Sequence, residues 1–209
     1  MVRWLCEEVS TVTADWFAEA YRGTPGWEIG RHQPAVEALA DAGRIAGPVL
    51  DAGCGTGENA LFLAARGFEV VGVDAVEAAV EAARRKAAER GLAVEFLVDD
   101  ALALGDLGRA FATVIDSGLF HTFDDGERLR YVGSLAGALR VGGRYHLLCF
   151  SERELRQGGP RRVTQDEIEE VFGRAPFRVL SITAAAMASN LEGGARQAWL
   201  AEIERLAER

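Results

Sequence analysis

Asp51, Gly53, Gly55 and Gly57 stand at alternate places in VLDAGCGTGENALFLA, residues 49–64, and Asp74 closes the next apolar run in FEVVGVDA, residues 68–75. An apolar run ends in an acid, turns through glycines, enters a helix and returns as a second apolar run ending in another acid. That order describes a β-loop-α-β nucleotide cradle. Glycine in the turn permits backbone dihedrals and a closeness of approach that a Cβ would hinder. The second acid falls about twenty residues on, where ribose hydroxyls are read.

The spacing also says which nucleotide. A dinucleotide cradle wants G-x-G-x-x-G, but here the third glycine comes one place early and Glu58 occupies the expected slot. A carboxylate at Asp51, beside the turn, repels a diphosphate and suits a cation. S-adenosylmethionine carries an ammonium and a sulfonium and no phosphate. The run D-x-G-x-G-x-G from Asp51 to Gly57 resembles motif I of the class I S-adenosylmethionine-dependent methyltransferases. That resemblance implies a cofactor lined by Asp51, Ala52, Gly53, Cys54, Gly55, Gly57 and Asn59, with its ribose read at Asp74 and Ala75. It further implies that Asp100 and Ala101 hold the adenine through a carboxylate and a backbone N–H, and that Asp116, Ser117 and Gly118 border the cofactor after the fourth strand. Ala112 and Val141 depart from the family pattern, at positions that do not touch the expected ligand.

The segment GTPGWEIGRHQPAV, residues 23–36, resembles the entry segment of a small-molecule group of these enzymes, abundant in actinobacteria and related to the thiopurine and thiol methyltransferases. The likeness implies that Trp27 lies over the methionine or substrate end and that Arg31 reaches the methionine carboxylate. Residues 1–31 are expected to form a lid, with Trp16, Phe17 and Trp27 gathered ahead of the first strand.

The elements that must position these groups alternate. Val76, Val80, Ala83 and Ala87 form one stripe of a helix over 75–90, stopped by Gly91. Apolar runs at 93–98, 111–115 and 145–150 read as strands three to five, and Leu129, Val132, Ala136 and Leu139 mark the helix before the fifth. Thr164 with Glu167 makes a capping box. Two strands near 177–189 and a last helix over 194–207, carrying Trp199, Ile203 and Leu206, complete the reading. The expected fold is a single α/β domain, Rossmann-like, with a Rossmann core over 47–189. Its seven-stranded sheet is mostly parallel, with helices on both faces, and the family resemblance implies an antiparallel C-terminal hairpin.

At 209 residues, 49% hydrophobic and 26% charged, the chain has the composition of an ordinary globular domain. A formal net charge of -9 argues against a nucleic-acid substrate and points to a small molecule. Cys6, Cys54 and Cys149 show no metal-ligand spacing, which suggests free thiols in a reducing cytoplasm. No secretory signal or membrane span is read, and both monomer and dimer are compatible with the sequence.

Methyl transfer is an in-line displacement in which positioning does most of the work. Residues after strand four face the ligand crevice, so Asp116, Ser117, Phe120 and His121 are the candidates nearest the reacting methyl group, with His121 expected as general base and Asp116 as a second catalytic group. Arg161 and Arg162 are candidates for an anionic substrate group. The expected acceptor is a small aromatic or heterocyclic thiol or hydroxyl. A metalloid or halide acceptor is the alternative within the class, and a non-catalytic S-adenosylmethionine-binding module the alternative outside it.

Overall fold

Four residues that are all buried, Val49–Ala52, make β1, which lies mid-sheet and reads as apolar because both its faces are covered. It pairs in parallel with β2 (Val70–Asp74) on one side and, across a change of direction, with β4 (Phe111–Ser117) on the other. The computed structural model describes residues 14–207, so Cys6 and the first part of the expected lid lie outside the described residues. Around β1 the sheet runs β3-β2-β1-β4-β5-β7-β6, with β3 at Glu95–Val98, β5 at Leu139–Phe150, β6 at Phe177–Met187 and β7 at Arg196–Arg205. All pairings are parallel except those of β7, which runs antiparallel to both β5 and β6. The order reverses between β1 and β4, and the crevice beyond the carboxyl ends of those strands is where an open α/β sheet binds its ligand.

Helices α1 (Ala14–Ala20), α2 (Pro34–Asp41), α3 (Glu58–Ala65), α4 (Glu77–Arg90), α5 (Asp125–Ala138) and α6 (Gln165–Phe172) join and cover these strands. Their ends follow local rules. Gly91 closes α4 in a left-handed conformation, while Asp124 with Glu127 and Thr164 with Glu167 form capping boxes on α5 and α6. The stripe expected on α4 is the one it buries, through Val80, Ala83 and Ala87.

Three expectations fail. Residues 196–205 form β7, not a helix. Their Ala, Leu, Glu and Arg content favours a helix, but Trp199, Ala201 and Ile203 are buried at a spacing of two between β5 and β6, and Glu202 and Glu204 pair with Arg144. Tertiary pairing outweighs propensity there. The C-terminal hairpin is accordingly β6 with β7, and 177–187 is one strand. On α5 the buried face is Arg128, Tyr131, Leu135 and Ala138, while Leu129 is 60% exposed. Tyr131 turns the helix inward, because its hydroxyl has a partner in the core.

Among the described residues no helix is long and apolar enough to cross a membrane.

Candidate active site

The glycine turn leaves β1 and enters α3 with Gly53, Gly55 and Gly57 all at positive φ. At Gly57 a Cβ would sit 2.7 Å from the Phe96 ring, so the turn can pack on β3 only without one. Asp74, at the end of β2, fixes the turn from the side: its Oδ2 accepts the Gly55 N–H at 2.8 Å and its Oδ1 the Val76 N–H at 2.9 Å. Each oxygen keeps further acceptor capacity, as a ribose diol requires. Burial raises its carboxyl above the usual range.

Asp51 is placed differently from the expectation of a group facing the ligand. It is 1% exposed, behind the turn, where its Oδ2 accepts the Ala60 N–H of α3 at 3.1 Å. Burial pushes its carboxyl up to about 7, against the hydrogen bond from Ala60. Any attraction of Asp51 for a cation acts through the turn. Ala52 is buried beside it, and Cys54 is buried with its thiol pushed up by burial, a packed side chain and no nucleophile. Asn59 turns away as well, its Oδ1 accepting the Gln33 N–H at 2.9 Å. Ala75 is exposed next to Asp74. Asp100 is exposed at the start of a 3₁₀ turn, accepting the Leu102 N–H at 2.8 Å, and Ala101 beyond it is buried.

The segment before α2 covers this edge. Trp27 packs edge-on against Phe17 and Tyr21 and donates its indole N–H to the Tyr21 hydroxyl at 3.0 Å. That hydroxyl lies over Gly55, 2.7 Å from where a Cβ would stand. Burial, then the charge of Asp74, raises the Tyr21 phenol and keeps its proton on. Glu28 reaches the Thr56 hydroxyl inside the glycine turn, and Lys86 of α4 donates to Thr56 at 2.7 Å while paired with Glu58 at 2.8 Å. Gln33 exchanges two hydrogen bonds with the Ala188 backbone, at 3.0 and 2.8 Å, and Asn190 donates to the carbonyls of Pro25 and Glu28. Arg31 is exposed. Tyr21, Glu28, Gln33, Thr56 and Lys86 were not singled out from sequence. No local pattern in the sequence encodes them.

Asp116 is not available for catalysis. Fully buried, it accepts the Leu119 N–H at 2.9 Å, the Phe120 N–H at 3.3 and 3.2 Å, and the Tyr131 and Tyr145 hydroxyls at 3.0 and 2.9 Å. Burial raises its carboxyl to about 6, and these donors hold it from rising further. It shapes the turn Ser117–Gly118 that follows β4, where Gly118 takes φ 93 and donates to Leu148.

The geometry also corrects the expectation of a basic His121. Its Nδ1 accepts the Phe150 backbone N–H at 3.0 Å, so the neutral ring carries its proton on Nε2. Burial, and then the charges of Arg128 and Arg162, pull its pKa down to about 3. The lone pair a base would use is committed, and the ring presents a donor. Nε2 faces Gly118, 3.5 Å from the place of a Cβ there, and Met187 Cε lies 3.7 Å from the same point. The Phe150 ring is 4.7 Å away. Arg162, expected near an anionic substrate, instead donates to the carbonyls of Gly158 at 2.9 Å and Pro160 at 2.6 Å, and Arg161 pairs with Asp125 and Glu167. Both arginines staple the loop after β5.

The sheet order, the glycine turn and the acid at the end of β2 define a Rossmann-like nucleotide-binding enzyme fold of the methyltransferase kind. Residues 49–143 match the methyltransferase domain family. The chain is 36% identical over 190 residues to a 2-heptyl-1-hydroxyquinolin-4(1H)-one methyltransferase of Mycobacteroides abscessus, covering 86% of this chain and 83% of that one. It is 29% identical over 163 residues to a probable thiol methyltransferase 2 of Arabidopsis thaliana, covering 77% and 72%. A structure solved for the conversion of a disulfide bond into a thioacetal group during echinomycin biosynthesis superposes with a TM-score of 0.85 at 36% identity, covering 92% of this chain and 93% of that one. The chain belongs to the S-adenosylmethionine-dependent methyltransferases.

Proposed function

We propose that this enzyme methylates the hydroxyl or thiol of a small aromatic or heterocyclic compound. The observation that carries this reading is the Nε2–H of His121, aimed at the end of the crevice beside Gly118 and flanked by Phe150 and Met187. A donor between an aromatic ring and a thioether suits a flat ring bearing an oxygen or sulfur acceptor. The relative that acts on a hydroxyquinolone and the probable thiol methyltransferase point the same way.

S-adenosylmethionine suits the cradle, since three glycines at positive φ make the turn and Asp74 keeps acceptor capacity for a diol. In this reading Gly53, Gly55 and Gly57 bear the methionine end, Asp74 and Ala75 the ribose, Asp100 and Ala101 the adenine, and Ser117 and Gly118 the edge nearest the methyl group. Trp27 and Tyr21 cover the cofactor as part of a lid, and the exposed Arg31 is free to meet the methionine carboxylate. Bound S-adenosylmethionine supplies the activated methyl group. The chain's part is to orient acceptor and donor and to exclude water.

A screen of thiols, phenols, hydroxylated nitrogen heterocycles, tellurite and halides, read as S-adenosylhomocysteine release, tests the reading. Turnover confined to inorganic acceptors would replace it with the metalloid or halide alternative.

A further inference from the structure

At the acceptor end of the crevice His121 presents a hydrogen-bond donor, and the buried groups nearest that end, His121 itself and Asp116, have their accepting atoms committed within the protein. His121 spends Nδ1 on the Phe150 N–H. Asp116 accepts from two backbone amides and two tyrosines. Tyr131 and Tyr145, donating to that carboxylate, are buried with it. On the exit of β5, Glu152 accepts the Trp199 indole N–H at 2.7 Å, and Glu154 accepts the Arg156 and Gln197 N–H groups, both at 2.9 Å. On the lid side Glu28 holds Thr56, and Tyr21 retains its proton. The charges that face His121 are cationic: Arg128 from α5, whose guanidinium stacks 4.5 Å over Phe120, and Arg162 from the loop after β5. Cys149 on β5 is buried and its thiol is pushed up by burial.

We infer that the enzyme takes acceptors that arrive already ionised, namely acidic ring hydroxyls and thiols, and that the Nε2–H of His121 holds the reacting anion in place and removes no proton from it. The inference rests on reading this crevice as the acceptor site. Solvent takes the acceptor's proton before binding. The anion's lone pair then forms the new bond to the methyl carbon as the carbon–sulfonium bond breaks, and that electron pair returns to sulfur to leave S-adenosylhomocysteine. Charge balances with no proton passing to the protein. Arg128 and Arg162 make the surroundings positive, which favours the anion over its conjugate acid in the bound state and opposes the desolvation that Phe150 and Met187 impose.

The test uses the full chain with S-adenosylmethionine and three acceptors of graded acidity: 4-nitrophenol, thiophenol and phenol. The expected kcat/KM rises with pH to a plateau, and its midpoint moves with the acceptor's own pKa. Phenol, near pKa 10, is at least about 100-fold slower than 4-nitrophenol at pH 7. His121→Ala lowers kcat/KM by about 10- to 100-fold for every acceptor, the range for a hydrogen bond to a charged group, without moving the midpoints. His121→Gln, which keeps a donor, recovers part of the loss. Imidazole ¹⁵N shifts, read without any acceptor, show His121 as a neutral Nε2–H ring from pH 5 to 9. A midpoint common to all three acceptors, a fall in rate above the acceptor's pKa, or a His121 ring that titrates between pH 6 and 8 would each overturn the inference. Turnover of tellurite or halide alone would remove the acceptor reading and this inference with it, whereas turnover of all three ring acceptors at a shared pH midpoint would remove only the inference.

Discussion

Two carboxylates at strand ends carry opposite duties, and their partners show why. Asp74 spends one lone pair on each oxygen and keeps capacity for the ribose proposed there, so Asp74→Ala is expected to weaken S-adenosylhomocysteine binding by about 1.5–3 kcal/mol in calorimetry, the scale of hydrogen bonds to a charged group. Unchanged affinity would place the ribose elsewhere. Asp116 spends its capacity within the protein, so its removal is a matter of folding. Asp116→Ala leaves the Leu119 and Phe120 N–H groups and two tyrosine hydroxyls buried without their acceptor and is expected to lose about 3–5 kcal/mol of stability in urea unfolding. Asp116→Asn, which retains one acceptor, should lose clearly less. Equal losses for the two variants would mean that volume, and not hydrogen bonding, is what Asp116 supplies.

Between elements, one join ties the segment before α2 to the glycine turn. Glu28 meets Thr56, and Lys86, itself held by Glu58, supports both. If the segment before α2 is the lid proposed above, its opening must break a partly buried cluster of charges. Glu28→Gln is therefore expected to speed S-adenosylhomocysteine release several-fold in stopped-flow tryptophan fluorescence, and to weaken the salt dependence of that rate. A release rate unaffected by both the substitution and salt would show that the lid opens elsewhere. None of these partners was legible in the sequence, because the contacts join residues 28, 56, 58 and 86 across three elements and no local pattern encodes them. The glycine turn, Asp74, the stripe on α4 and the cap at Thr164 were legible, since each is set by residues a few positions apart. The error at 196–205 has the same origin: the helical spacing of Trp199 and Ile203 is a local signal, and the β5–β7–β6 pairing that overrides it is not. His121 was found by its place after β4, but its role depended on Phe150, which lies on another strand.

Over the whole molecule the buried titrating groups set stability against pH in two opposing ways. Burial raises Asp51 to about 7 and Asp116 to about 6, so the native state keeps these protons longer than the unfolded chain; the stability they give is full below about pH 4 and is lost as pH rises through those values. Burial lowers His121 to about 3 and His146 to about 4, so their contribution is full above about pH 6.5 and is lost as pH falls. Between about pH 4.5 and 5.5 the unfolded chain carries the two histidine protons and the native protein the protons of Asp51 and Asp116, so their effects on the slope oppose one another, with Asp74, also raised by burial, on the carboxyl side. Below that window Glu204, held under the usual carboxylate range by hydrogen bonds from Arg144 and Arg178, adds stability that disappears as it protonates. His146→Gln removes one of the two histidines while keeping a donor for the Arg44 carbonyl that Nε2 now meets at 3.1 Å. Without that histidine the unfolded chain binds one proton fewer relative to the native state, so the variant's stability should fall with rising pH more steeply than that of the unmodified protein, by about 1.4 kcal/mol per pH unit across the window. Urea unfolding at half-unit steps from pH 4.5 to 5.5 measures both slopes. A variant whose slope equals that of the unmodified protein would mean that His146 does not enter the native state as a buried neutral ring.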